Sequence, residues 1–384
     1  MPQLKDNHEV IVVSTSFFSP PSRSNPIIYM RRPILLLSIL IAFFAIILTY
    51  YKPDILQILT TYTGTTILTL TTHLTSLTTN PNITTPSHMN TAKTTMSRTL
   101  HHAKITPHLS STRGHSDHGW LNTYHSFSFA NWYHPSYTSF GSLRVLNEDR
   151  VKPQSGFPTH PHRDFEIFSY ILSGELTHRD SMLTKGAEGD NVSPDQFYRM
   201  KRGDIQFTTG GTGIAHSEFN EHRRDTVHFL QIWALPWKRG LKPRYHTRRF
   251  SEEDKRKGFV TILSPLKGGV DATAEQEAKA EAVVEGTIPI HADFLMGAGI
   301  ITGGDKFEWI VGGRGNVTEQ NKRKVFVHLP MTKGGKASIR LDGRDDAVLK
   351  EGDGAFIEGV NKGDKLWVES VGEVEAEVVV LDTA

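Results

Sequence analysis

A chain of 384 residues, 38% apolar and 22% charged, is long enough for two globular domains plus extra segments. Its 43 basic and 41 acidic side chains leave a formal charge of +2, too even a balance for nucleic-acid binding through bulk electrostatics. There is no cysteine, which excludes disulfides, thiolate nucleophiles and thiolate metal ligands, so any transition-metal site must draw on its 19 histidines and on carboxylates.

The first hundred residues differ from the rest. Residues 1–32 read as a tail. From Ile34 to Tyr51 there is no charge for 18 residues, between Arg31-Arg32 and Lys52. As a helix this run would be ~27 Å long, close to the hydrocarbon core of a thin bilayer. The expectation is a single transmembrane helix over 33–51, with the arginine side cytoplasmic and the protein membrane-anchored. Residues 52–105 are rich in threonine and serine, have no acid beyond Asp54 and no sustained apolar period, and read as a linker. Asn82-Ile83-Thr84 is a glycosylation acceptor if that linker is lumenal. The competing expectation is a start near Met96, which would leave a basic, hydroxyl-rich N-terminus and a cytoplasmic or nuclear protein.

From about Gly119 the pattern changes to short strands. Phe127–Phe129, Gly141–Leu146 and Glu166–Leu172 come first; Ser173-Gly174 turns into Glu175–His178, and Arg202-Gly203-Asp204 turns into Ile205–Phe207. Val227–Trp233 reads as a core strand, ended by Pro236 and the basic stretch Lys242–Arg249. Asp271–Val284 is rich in alanine and glutamate and predicts a helix. Lys324–Leu329, Ala337–Leu341, Lys365–Ser370 and Ala376–Leu381 repeat the strand pattern, so the fold is expected to be all-β, with two antiparallel sandwiches or barrels.

The chemistry concentrates in His160-Pro161-His162-Arg163-Asp164-Phe165-Glu166 and, further on, His216-Ser217-Glu218. Turn signals in Pro153–Pro158 place His160 at the start of a strand, where alternate side chains share a face. His160 and His162 therefore project side by side, and His216 with Glu218 repeats that geometry from a second strand. Glu166 shares the parity of the first pair and rivals Glu218 as carboxylate ligand; parity does not choose between them. Two or three imidazoles with one carboxylate and open positions are typical of non-haem Fe(II) sites, while Mn, Ni, Cu or Zn also fit. In the second half there is no His-x-His, and His291 and His328 stand alone, so that half is expected to be metal-free.

Trp120–Phe129, Phe140–Asp149, His160–Glu166, His178-Arg179-Asp180-Ser181 and Gly213–Glu218 resemble the pirin family, and Glu351–Gly354 extends the likeness more loosely. The resemblance implies a bicupin, with jelly-roll barrels at 106–245, holding the metal, and 246–384, without one. It implies His160, His162, His216 and Glu218 as ligands and Fe(II) as the metal, with Glu166 outside the ligand set and orienting an imidazole. It further implies a quercetin 2,3-dioxygenase-like activity on a flavonol and O2, with Glu218 as catalytic base. The alternative is an iron-dependent redox-sensing partner of transcription regulators. Phe165 and Phe168 are candidate pocket walls. Lys238-Arg239 and Arg248-Arg249 are either a partner surface or a solvated loop. The hydrophobic run and linker depart from the family pattern.

Overall fold

The computed structural model describes residues 100–181 and 199–384. The described chain enters at β1 (Lys104–His108) and continues through β2 (Gly114–Asp117), β3 (Leu121–His125) and the long β4 (Leu143–Val151). Then come β5 (Ser155–His162), β6 (Glu166–Ser173), β7 (Glu175–Asp180) and β8 (Arg199–Lys201). β9 (Asp204–Thr209), β10 (Ile214–Asn220), β11 (Val227–Ala234) and β12 (Arg244–Arg249) end the first half. After the single-turn helix α1 (Glu252–Lys255) come β13 (Val260–Pro265), the short helix α2 (Ala274–Lys279), β14 (Ile288–Ile290), β15 (Phe294–Ile301) and β16 (Lys306–Ile310). The chain closes with β17 (Lys322–His328), β18 (Ser338–Leu341), β19 (Val348–Lys350), β20 (Gly354–Asn361), β21 (Lys365–Ser370) and β22 (Ala376–Thr383).

Each half pairs a seven-stranded sheet with a four-stranded one. In the first half the order is β12-β9-β6-β11-β4-β3-β2 against β5-β10-β7-β8. In the second it is β1-β20-β17-β22-β15-β13-β14 against β16-β21-β18-β19. Leu121, Val151, Leu176 and Met200 fill the first sandwich, and Leu295, Val380, Ile339 and Val368 the second. The large sheets also share a core with each other, where Phe168, Tyr170 and Phe207 meet Phe294, Phe326 and Leu381. Strands β6, β15 and β22 therefore bury both faces, which is why their sequences are almost unbroken apolar runs.

Several expectations change. The tail, the run 33–51, the glycosylation triplet and the Met96 start lie outside the described residues. Among the described residues no helix is long and apolar enough to cross a membrane, so the membrane-anchored location is withdrawn as unsupported. The linker expected to reach 105 stops sooner, because Leu100, Ala103 and Ile105 are buried in the second half's core. There β1 pairs with β20, from Lys104↔Glu358 to His108↔Gly354. The boundary expected at 245 falls inside β12, whose Arg244–Arg249 pairs with β9; this basic stretch is an edge strand. Phe127–Phe129 forms no strand beyond an isolated bridge from Phe129 to Trp132. The helix expected over Asp271–Val284 shrinks to α2, because Ala280 turns left-handed at φ 50° and Ala282 bridges to Leu266.

Glu148 on β4 joins the halves at a buried node. Its Oε2 accepts from Arg113 Nη1 at 3.1 Å, and its Oε1 accepts from the Met331 backbone N–H at 2.7 Å. His228 Nε2 lies 2.9 Å from Oε1 and His328 Nε2 3.2 Å from Oε2. Burial alone would raise this carboxyl, but the hydrogen bonds of His228 and His328 and the Arg113 charge outweigh it and hold it well below the usual range. His328 is thus part of the seam between the halves.

The next residue, Asp149, faces into the first sandwich, where burial lifts its carboxyl from 3.8 to about 7. The folded chain binds this proton more tightly than the unfolded chain, so the group's contribution is largest at low pH and is lost as pH rises through about 7. Asp149→Asn is therefore expected to raise the thermal midpoint more at about pH 8 than at about pH 5. An equal shift at both pH values would contradict this placement.

Candidate metal centre

The site lies on the four-stranded sheet of the first half. β5 and β10 run antiparallel with His160 directly opposite His216, and a register shift separates His216 from Glu218. On its other edge β10 pairs with β7, which sets Asp180 opposite His216 and His178 opposite Glu218. His160 and His162 close β5 rather than open it, and the two-residue alternation holds to that end.

One nitrogen from each of His160, His162 and His216 lies within 4.8 Å of the others. The Nε2 atoms of His160 and His216 are 3.1 Å apart, and the His162 ring centroid is 4.7 Å from each of the other two. His160 Nδ1 donates to the Pro158 carbonyl at 2.7 Å, which leaves its Nε2 as a bare lone pair facing the cluster. Burial lowers His162 to about 4 and lowers His216 further. Neutral imidazoles that present lone pairs are ready as metal ligands.

Sequence reasoning missed a fourth imidazole as part of this constellation. His178 is fully buried, its Nε2 is 2.9 Å from His216 Nδ1, and burial lowers it to about 3. With Asp180 and His216 it forms a second compact group of potential ligands. The signal was available, because His178-Arg179-Asp180 repeats the His-x-acid spacing of His216-Ser217-Glu218.

Glu218 stands outside the three-imidazole group. It is buried; its Oε1 accepts from Ser169 Oγ at 2.9 Å and its Oε2 from Gln231 Nε2 at 2.8 Å. Burial raises it to about 7, and the nearby Asp149 carboxyl adds to the rise. Among the described residues no cationic side chain contributes to this environment, so the buried carboxyl lacks a counter-charge there. That donor chemistry fits a bound cation.

Glu166 goes elsewhere. Asp164 adopts a left-handed φ of 56°, which ends the alternation and carries Glu166 onto β6 of the large sheet. There its Oε2 accepts from Thr209 Oγ1 at 3.0 Å, and its Oε1 lies 3.3 Å from His291 Nδ1. The imidazole it faces thus belongs to the second half, whereas the resemblance implied one in the metal site. His291 also contacts Glu277 at 3.1 Å.

Beside the cluster the Trp233 ring sits edge-on to His162 at 4.9 Å and 5.2 Å from Phe165. Phe165 and Trp233 line a cavity of about 270 Å³. Phe168 is core, stacked on Phe207. Lys238 pairs with Glu277, Arg249 with Asp204, and Arg248 donates to the Gly286 carbonyl, so three of the four residues read as either a partner surface or a solvated loop are engaged within the chain.

Residues 107–234 match the family model described as Pirin. A quercetin 2,3-dioxygenase of Escherichia coli strain K12 is 36% identical over 208 residues, which cover 54% of this chain and 80% of that one. The chain belongs to the pirin family. A Pseudomonas aeruginosa relative, 33% identical over 257 residues, covers 67% of this chain and 95% of its own length. The bacterial pirin YhhW from Escherichia coli, solved in complex with nickel(II), superposes with a TM-score of 0.55 at 28% identity, covering 73% of this chain and 99% of that one. Among pirins, then, the present chain carries the imidazole cluster in its N-terminal sandwich, inside the matched segment.

Proposed function

We propose that this chain is a metal-dependent dioxygenase acting on a flavonol-like substrate and O2, with Fe(II) held by His160, His162, His216 and Glu218. The observation that carries the proposal is the convergence of three imidazoles beside a buried carboxyl that has no cationic partner among the described residues. The curated name of the Escherichia coli relative supports the reaction class. An imidazole and carboxylate set accepts several first-row metals, and Fe(II) is our choice among them.

The bound metal supplies Lewis acidity toward a substrate hydroxyl oxygen. Glu218 is assigned to take the proton of that hydroxyl on a carboxylate oxygen. Ser169 and Gln231 hold the carboxylate in place through its two oxygens. Trp233 and Phe165 offer aromatic surface beside His162.

The test is O2 consumption with a flavonol, with and without added Fe(II). Metal-dependent uptake is expected, and stoichiometric metal without turnover on several flavonols and catechols would move the reading to a redox-sensing partner protein. Glu218→Gln is expected to depress metal content or turnover more than Glu166→Gln. The reverse ranking would overturn the carboxylate assignment.

A further inference from the structure

Among the described residues the cavity beside the imidazoles has one charged lining side chain. Ser128, Phe129, Ala130, Trp132 and Tyr133 come from the loop after β3, Phe165 from the turn before β6 and Trp233 from β11, and Arg144 joins them from β4. The Arg144 guanidinium donates through Nη1 to the Ser128 carbonyl at 2.8 Å, and among the described residues it has no carboxylate partner. The indole N–H of Trp233, in the same wall, also finds no acceptor among the described residues. Phe129 stands edge-on to Trp233 at 5.5 Å, so the walls are flat rings with a cation set among them.

We propose that this cavity binds a single aromatic ring carrying an anionic oxygen group, with the anion paired to Arg144 and the ring held between Phe129, Phe165 and Trp233. Size sets the class. At about 270 Å³ the cavity falls below the ~300–1,000 Å³ of sites that enclose drug-sized ligands, so it suits one substituted ring of a larger substrate. Charge sets the substituent, because a planar guanidinium with uncommitted N–H donors matches a carboxylate or phenolate in a fork. The proposal deepens the dioxygenase reading by naming what lies away from the imidazoles, and it rests on that reading only for which end of the substrate reaches them.

The test is calorimetric titration of the full chain, stripped of metal by chelator, with benzoate, phenol and cyclohexanecarboxylate. Benzoate is expected to bind about tenfold or more tighter than either of the others, since only it has both ring and anion. R144Q is expected to weaken benzoate about tenfold while leaving phenol within about twofold, and R144K to fall between. Benzoate no tighter than phenol, or R144Q indistinguishable from the parent, overturns the proposal. The ligand ranking in the parent chain decides the matter even where a variant fails to fold. Because the titration uses metal-free protein, a chain that never binds metal would sink the dioxygenase reading and leave this result standing.

Discussion

Replacing His216 with alanine is expected to abolish stoichiometric metal binding and, with it, O2 uptake. His216 is the shared member of both compact ligand groups, with Nε2 toward His160 and Nδ1 toward His178. Its loss removes a donor and also leaves His178 buried with neither ring nitrogen engaged. Orienting partners that do not touch a metal are worth about 10–100-fold in affinity, which is the loss expected for His178→Phe. As a proposed ligand, His216 should exceed that range. Metal content after equilibrium dialysis, beside a circular dichroism spectrum to show that the sheets persist, is the measurement. A His216→Ala chain that folds and keeps its metal would remove the basis for the centre.

The largest effect on stability is expected at Glu148. Glu148→Gln takes the counter-charge from Arg113, whose side chain has no solvent exposure, and from an acceptor that serves His228, His328 and the Met331 N–H. Breaking a buried pair on one side costs about 3–5 kcal/mol, because the remaining ion is neither solvated nor paired. Arg113 Nη1 also donates to the Gly352 carbonyl at 3.0 Å, so the damage falls where the two halves meet. The double variant Glu148→Leu, Arg113→Met should be less destabilised than the sum of the single changes, since neither charge is then stranded. Denaturant unfolding measures this, and a single-variant loss below about 1 kcal/mol would show the node to be hydrated and dispensable.

How much was legible follows from which residues speak locally. The alternation that puts His160 beside His162 is a property of one strand, and so is that of His216 with Glu218; both pairs could be named before any fold was known. Glu166 could not be placed, because a single left-handed residue, Asp164, breaks the parity and no local pattern announces an aspartate in that conformation. The role of His178 depends on the pairing of β7 with β10, a contact between segments far apart in sequence. Composition alone extends the helix over Asp271–Val284, whereas the Thr273–Gln276 capping box starts it at Ala274 and the left-handed Ala280 ends it at Lys279. The Glu148 node was invisible for the same reason as His178, since Arg113, His228 and His328 are brought to it only by the packing of the halves.

Strand β1 makes the chain close on itself. Lys104–His108, the first strand described, is an edge of the sheet that Gly354–Asn361 completes, about 250 residues later. On the ribosome this edge must wait, its amide and carbonyl groups open to solvent, until Gly354–Asn361 has emerged. A fragment cut between the sandwiches would separate a strand from its only neighbour among the described residues, so the two halves are better regarded as one cooperative body than as beads on a string.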